Sequence, residues 1–127
     1  MPLDRSSPVL VIDDSQIMTN ILRGLLHQAG FRDVDVAVGA QAGLNRVAER
    51  AYGLVVCDWL MPPHTGADVK NAMARRAQLA TIPVLLITAQ TKSHDVYGNP
   101  LGPMIVKPFN AETLAARIDS LVDAQAA

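Results

Sequence analysis

The chain has 127 residues, of which 50% are hydrophobic and 18% are charged. This length and apolar fraction predict one folded domain across residues 1–127, with an ordered core from about residue 8 to about residue 122. Basic and acidic residues number 11 and 12, for a net charge of −1, which argues against a nucleic-acid-binding domain, because such domains carry a basic excess. The single cysteine, Cys57, excludes an internal disulfide and a cysteine-based zinc site.

The N-terminal segment, MPLDRSSP, has one arginine and no long apolar run, so it is unlike a signal peptide. No stretch approaches the ~18 consecutive apolar residues of a membrane-spanning helix. The sequence therefore predicts a soluble, cytoplasmic protein without membrane contact.

The first part of the chain alternates strand-length apolar runs with segments of helical period. Val9–Ile12 has the pattern of a buried strand, and Ser15 is a good N-cap for the helix that follows. The spacing predicts that this helix buries Ile17, Ile21, Leu22, Leu25 and Leu26. Gly30 is placed to end it. A short strand over Val34, Val36 and Val38 stops at Gly39. The second helix is predicted to bury Ala40, Leu44, Val47, Ala48 and Ala51.

The same alternation continues to the end of the chain. Further strands are predicted over Gly53–Asp58, Pro83–Thr88 and Met104–Val106. Thr65 and Asp68 resemble a capping box, with Asp in place of Glu, at the start of a third helix. Its predicted inner face is Val69, Ala72, Met73, Ala77 and Ala80. Asn110 is a good N-cap for the last helix. That helix is predicted to bury Leu114, Ile118, Leu121 and Val122.

Alternating strands and helices predict an α/β fold with a parallel sheet and helices on both faces. One crossover fits this pattern poorly, since Gly98, Pro100, Gly102 and Pro103 forbid a long helix between the fourth and fifth strands. The fourth helix is therefore predicted to be short or irregular, with at most about two turns between residues 91 and 97.

Polar residues gather where the predicted strands end. Because the carboxyl ends of parallel strands share one edge of the sheet, that edge should bring together Asp13, Asp14, Asp58, Thr88 and Lys107. Three neighbouring carboxylates repel one another and can relieve the repulsion by binding a cation. All-oxygen ligands without His or Cys favour a hard ion, Mg²⁺ or Mn²⁺.

An ionised aspartate can also act as a covalent nucleophile and form an aspartyl phosphate. Phosphoryl transfer needs a nucleophile, a metal and donors around the phosphoryl oxygens. Asp58 could be the nucleophile, with Asp14 and Asp58 on the metal and Lys107 and Thr88 on the remaining oxygens. No organic cofactor is predicted, because no G-x-G-x-x-G loop follows the first strand.

Four motifs occur in a specific order: VLVIDDS, VVCDWLMPPHTG, LLITA and VKPF. With them the chain resembles the response-regulator receiver domain of two-component signalling, of the chemotaxis type, from Pro8 to about Val122. The resemblance implies a doubly wound five-stranded parallel sheet of order 2-1-3-4-5, a flavodoxin-like three-layer sandwich.

The resemblance also assigns roles at the site. Asp58 would be the phosphoacceptor and, with Asp14, a direct ligand of Mg²⁺. Asp13 would act through water, and the Leu60 carbonyl would complete the protein ligands.

Further roles come from the same resemblance. Thr88 would be the switch hydroxyl and Lys107 the contact to the phosphoryl group, with a cis peptide between Lys107 and Pro108. A histidine kinase or a histidine phosphotransfer protein would donate the phosphoryl group, and the changed surface would bind an unidentified downstream protein. We expect no enzymatic activity beyond self-catalysed phosphotransfer and autodephosphorylation. With no effector domain in 127 residues, we expect a stand-alone receiver.

Two features depart from the family pattern. Met104 stands where an aromatic residue is common, three places before the lysine, and the fourth helix is broken. We therefore expect an intact site with an atypical switch and docking surface. Leu60 and Gln90 occupy positions that tune the dephosphorylation rate in this family.

Three alternatives remain open from the sequence. The chain could be a phosphate sink that only drains a kinase, or an interaction module that works without phosphorylation. An aspartate-nucleophile phosphatase is disfavoured, because it needs a carboxylate two residues after the nucleophile, where Leu60 stands.

Overall fold

The computed structural model describes residues 4–88 and 103–126, with side chains as far as residue 121. The strands within these ranges are β1 (Val9–Asp13), β2 (Val34–Val38), β3 (Leu54–Asp58), β4 (Leu60–Met61), β5 (His64–Thr65), β6 (Val84–Thr88) and β7 (Met104–Val106). The helices are α1 (Gln16–Gln28), α2 (Ala40–Glu49), α3 (Gly66–Ala74) and α4 (Ala111–Ala126).

Five strands form one parallel sheet in the order β2-β1-β3-β6-β7. The strands β4 and β5 form a separate antiparallel pair that the sequence did not predict. Counting only the five strands of the large sheet, the order is 2-1-3-4-5, so the predicted topology is confirmed. The predicted short fourth helix falls at residues 91–97, outside the described part of the chain.

Alternate residues of the central strands face two separate apolar layers. On one face, Leu10, Val55 and Leu86 pack with α2 and α3. On the other face, Val11, Val56 and Leu85 pack with α1 and α4. Every residue of β1, β3 and β6 is buried, as expected for parallel strands covered on both sides. The three-layer architecture is thereby confirmed.

The predicted helix ends are confirmed by their hydrogen bonds. The Ser15 side chain accepts a hydrogen bond from the amide of Met18 at the start of α1. Gly30, just past α1, has φ +102°, which favours glycine. Thr65 and Asp68 form the capping box of α3. The Asn110 side chain accepts from the amide of Thr113 at 2.8 Å.

Several predicted inward residues of α1 and α2 are exposed. Ile17 is 72% exposed and Ile21 48%, because the buried row of α1 runs through Thr19, Leu22 and Leu26. Ile21 precedes Leu22 by one residue, a rotation of about 100° away from that row. In α2 the buried row is Ala40, Gly43 and Val47, and both Ala48 and Ala51 are exposed.

The predicted inner face of α3 also ends early. The helix stops at Ala74, and the chain continues in turns with a hydrogen bond from the Leu79 amide to the Arg76 carbonyl. Ala77 and Ala80 are therefore exposed, and Leu79 occupies the buried position instead. In α4, by contrast, Leu114, Ile118 and Leu121 are all buried as predicted. Among the described residues, no helix is both long and apolar enough to cross a bilayer.

Candidate functional site

Three carboxylates meet at the carboxyl edge of the sheet. Asp13 ends β1, Asp14 follows it, and Asp58 ends β3. The two strands pair in register, with Ile12 opposite Cys57, so the residues after this pair leave the sheet side by side. One carboxylate oxygen from each of Asp13, Asp14 and Asp58 lies within 4.8 Å of the others. The predicted convergence of these three residues is therefore present.

Asp13 has one engaged and one open carboxylate oxygen. Its Oδ1 accepts a hydrogen bond from the Ser15 amide at 3.0 Å, which fixes the turn into α1. Its Oδ2 is buried and has no hydrogen-bond partner among the described residues. The pKa of Asp13 is raised to about 6, chiefly by burial and also by the nearby charge of Asp58, against the opposite effects of the Ser15 amide and Lys107. An acceptor oxygen buried without a donor is costly, and a bound cation would relieve that cost.

Asp58 is paired with Lys107. The Lys107 Nζ lies 3.4 Å from the Asp58 Oδ1, and its charge lowers the pKa of both Asp58 and Asp13. Burial raises the pKa of Asp58, Lys107 lowers it, and the charge of Asp14 raises it again. The peptide bond between Lys107 and Pro108 is cis, as predicted, and a second cis bond joins Pro62 and Pro63.

Thr88 ends β6, between the strand that holds Asp58 and the strand that leads to Lys107. Asp58 pairs with Ile87, and the Lys107 amide donates to the Thr88 carbonyl at 2.8 Å. The Thr88 side chain is buried. The parallel register thus places this hydroxyl-bearing residue at the same sheet edge as the carboxylates and the ammonium group.

The donor set fits a hard divalent cation. Three carboxylates supply oxygen ligands, and the buried, unpaired Asp13 Oδ2 leaves coordination capacity that Mg²⁺ or Mn²⁺ would use. Within the described residues no histidine or cysteine joins this cluster, which disfavours softer metals. The role of the Leu60 carbonyl as a metal ligand remains a prediction. Leu60 lies in β4 and is 63% exposed.

One structural residue at the site was not predicted from the sequence. Gly66 begins α3, and its amide donates to the Trp59 carbonyl at 2.8 Å. A Cβ at this position would lie 2.8 Å from the Asp58 carbonyl oxygen and 2.6 Å from the Leu86 Cδ2. Only glycine therefore lets α3 start so close to the Asp58 backbone. The signal available was a glycine directly after the N-cap Thr65.

Other residues singled out from the sequence have structural surroundings. Cys57 is a buried core residue beside Asp58. Burial raises the pKa of its thiol, so the thiol is held in its neutral, unreactive form. His64 is exposed, with its Nδ1 3.7 Å from the Asp68 carboxylate. Met104 is buried on the α2 and α3 face of the sheet. Gln90 lies outside the described residues.

Comparison with known proteins agrees with this geometry. The chain is 30% identical over 124 residues to the chemotaxis protein CheY-3 of Vibrio cholerae, with 95% of each chain covered. It is 29% identical over 118 residues to the chemotaxis protein CheY of Pseudomonas aeruginosa, covering 91% of this chain and 95% of that protein.

Solved structures show the same architecture. The chemotaxis response regulator CheY4 of Vibrio cholerae superposes with a TM-score of 0.79 at 28% identity, covering 91% of this chain and 98% of that one. A signal receiver domain of a histidine kinase from Syntrophus aciditrophicus has the same fold, with a TM-score of 0.80 at 23% identity and coverage of 94% and 92%. The sequence model of the family described as "Response regulator receiver domain" matches residues 9–119. With most of its length matched and its carboxylates and lysine at the expected sheet edge, this chain belongs to the response regulator receiver domain family.

Proposed function

We propose that this protein is a phosphoacceptor receiver in which Asp58 takes up a phosphoryl group in a Mg²⁺-dependent reaction and thereby changes what the protein binds. The observation that carries the proposal is the ionic contact between Asp58 and Lys107, at 3.4 Å, next to two further carboxylates. A nucleophile, oxygen ligands for a cation and a positive group for the transferred oxygens are the components that phosphoryl transfer requires.

In the proposed reaction, one carboxylate oxygen of Asp58 attacks the phosphorus atom of the donor. An O–P bond forms to Asp58, and the bond between phosphorus and the donor's leaving atom breaks, with its electron pair staying on the leaving group. Lys107 offers its ammonium to a phosphoryl oxygen, and Thr88 can offer a hydroxyl from the neighbouring strand end. In dephosphorylation a water molecule attacks the phosphorus atom, and the bond between phosphorus and the Asp58 oxygen breaks. Its electron pair stays on the Asp58 carboxylate, a water proton passes to the solvent, and inorganic phosphate is released.

The carboxylates of Asp13, Asp14 and Asp58 would hold the divalent ion, with the Leu60 carbonyl as a further ligand. When bound, Mg²⁺ supplies charge neutralisation for the phosphoryl oxygens, and Mn²⁺ could replace it. The protein's own contribution is to fix the three carboxylates at the ends of buried strands, so that the nucleophile and the ligands are already in position.

The donor is proposed to be a histidine kinase or a histidine phosphotransfer protein, and the recipient of the signal a downstream protein. Relatives described as chemotaxis proteins favour a signalling role over a metabolic one. A cytoplasmic location and the absence of other enzymatic activity stay predictions from the sequence. A phosphate sink would share the same chemistry, and binding of a partner only by the phosphorylated form would separate the two.

The test is incubation with acetyl phosphate and Mg²⁺, followed by intact mass measurement. We expect one phosphoryl adduct in the wild-type protein and none in Asp58→Asn, which keeps the shape but removes the nucleophile. Asp119→Asn is the control, because it removes an exposed carboxylate that pairs with Arg5 away from the site. A folded wild-type protein that gains no adduct would contradict the proposal and favour an interaction module that works without phosphorylation.

A further inference from the structure

The strand β7 is shorter than β1 and β3 and has fewer partner strands within the described residues. It has three residues, and within the described part of the chain it pairs only with β6. The hydrogen bonds across this pair include Leu86 amide to Pro103 carbonyl at 3.0 Å and Lys107 amide to Thr88 carbonyl at 2.8 Å. Since successive peptide groups of a strand point to opposite sides, the Met104 carbonyl faces the outer edge of the sheet.

That outward carbonyl accepts a hydrogen bond from a side chain of α4. The Arg117 Nε lies 2.7 Å from the Met104 carbonyl oxygen. A charged donor at this distance makes a stronger hydrogen bond than a neutral one. It also satisfies a backbone acceptor that has no strand partner in the described residues.

The helix that carries Arg117 packs against other elements besides β7, although Ile105 of β7 lies in the same apolar layer as this helix. Its Leu114 and Ile118 side chains are fully buried in the layer shared with α1. On its exposed side, Asp119 pairs with Arg5 at 3.1 Å, and Arg5 also bonds the Ala29 carbonyl after α1. The helix α4 is therefore held by α1 and by Arg5 as well as by β7, and Arg117 adds a polar contact to the backbone of β7.

We infer that Arg117 is a positioning residue that holds β7, and with it Lys107, in place beside Asp58. The inference rests on the proposed function, because it deepens the role given to Lys107 there. Only two residues, Ile105 and Val106, lie between Met104 and Lys107. The contact from Lys107 to Asp58 is already long for a hydrogen bond at 3.4 Å. A small displacement of β7 would therefore break that contact.

The same geometry predicts a separation between two measurable properties. The carboxylates that would bind the metal come from β1, β3 and the start of the loop to α1, whereas the hydrogen bond of Arg117 goes to β7. Loss of the Arg117 bond should therefore slow phosphorylation without weakening metal binding. A general loss of structure would weaken both.

The variants are Arg117→Met, which keeps the apolar stem but removes the donor, and Arg117→Lys, which keeps a charged donor. Arg23→Met is the matched control, since the side chain of Arg23 donates a hydrogen bond to Asn20 of its own helix, away from β7.

We expect Arg117→Met to lower the phosphorylation rate with acetyl phosphate on the order of fivefold, which is the effect of losing one hydrogen bond. Arg117→Lys should recover most of the rate. The Mg²⁺ dissociation constant, followed by the fluorescence of Trp59, should stay within about twofold of the wild-type value in all three variants.

Amide hydrogen exchange tests the positioning itself without any phosphoryl donor. In Arg117→Met the amides of Leu86 and Lys107 should exchange faster, whereas the amides of Val9 and Gly39 in the β1–β2 pair should not change. An unchanged rate, equal losses of rate and metal affinity, or no recovery in Arg117→Lys would each overturn the inference. If the wild-type protein accepts no phosphoryl group, the proposed function fails, and unchanged exchange at Leu86 and Lys107 would then overturn the positioning role separately.

Discussion

Replacement of Asp13 by asparagine should make the metal-free protein more stable at neutral pH. Asparagine has nearly the same shape, and its side-chain oxygen can still accept from the Ser15 amide. What it removes is a buried negative charge whose second oxygen has no partner among the described residues. It also removes repulsion with Asp58.

The magnitude follows from the pKa of Asp13, which is about 6 in the folded protein against an ordinary value of 3.8. The folded protein therefore holds this proton more tightly than the unfolded chain does. As the pH rises from about 4 to about 6, the wild-type protein loses roughly 3 kcal/mol of unfolding free energy through this group, at 1.36 kcal/mol per pKa unit. The variant has no proton to lose there, so its advantage should grow over the same pH range and then stay constant.

The assay is urea unfolding in EDTA, followed by the fluorescence of Trp59, at several pH values from about 4.5 to about 7.5. We expect the variant to exceed the wild-type protein by about 2 to 3 kcal/mol at the upper pH and by less at the lower one. Glu49→Gln removes an exposed carboxylate and is the control for charge alone. A difference between variant and wild type that does not change with pH would refute the reasoning.

Three further predictions follow from the packing and from the carboxylates. Gly43→Ala should destabilise the fold by about 1 to 3 kcal/mol in urea unfolding, because the added Cβ would lie 2.4 to 2.9 Å from three atoms of Ile12. Gly24→Ala is the comparison: no atom lies within 4 Å of its added Cβ, so this variant should stabilise α1 by about 0.5 to 1 kcal/mol. Asp14→Asn should weaken Mg²⁺ binding in a fluorescence titration, since an anionic ligand becomes neutral, and an unchanged affinity would remove Asp14 from the ligand set. In the wild-type protein the Mg²⁺ affinity should fall as the pH drops through about 6, because the Asp13 carboxylate must lose its proton before it can take part in holding the ion. A Mg²⁺ affinity that does not change with pH would contradict the assignment of Asp13 to the metal site.

Much of the fold could be predicted because local and long-range signals agree. The strand β3 is a continuous apolar run whose five residues are all buried, as a central parallel strand requires. The caps at Ser15 and Asn110 are local hydrogen bonds, so the sequence alone identifies them. The prediction of which apolar residues face inward was wrong for Ile17 and Ile21. Ile17 and Ile21 have helical spacing, but the row that meets the sheet depends on how the helix docks, and that is a tertiary property.

The site was predicted for a topological reason. Once the strands are parallel, Asp13 and Asp58 must leave the sheet at the same end of the strands. Lys107 leaves at that end too, after β7, which β6 separates from β3. The distances could not be predicted, and neither could the role of Gly66. Its close approach to the Asp58 carbonyl appears only when α3 is packed against β3. The contact of Arg117 with the Met104 carbonyl likewise needs the helix and the strand in place.

The charged groups of the site stand on strands that differ in length and in the number of strands they pair with. Asp13 and Asp58 are fixed by the paired ladder of β1 and β3, so their repulsion cannot be relieved by moving the strands apart. Relief must come from a proton, a cation or Lys107. Lys107 follows a strand of three residues that pairs on one side only within the described part of the chain. A change of charge on Asp58 therefore acts on two carboxylates fixed by a paired ladder and on a lysine that follows a shorter strand with one partner, and we expect β7 to be the strand that such a change displaces most.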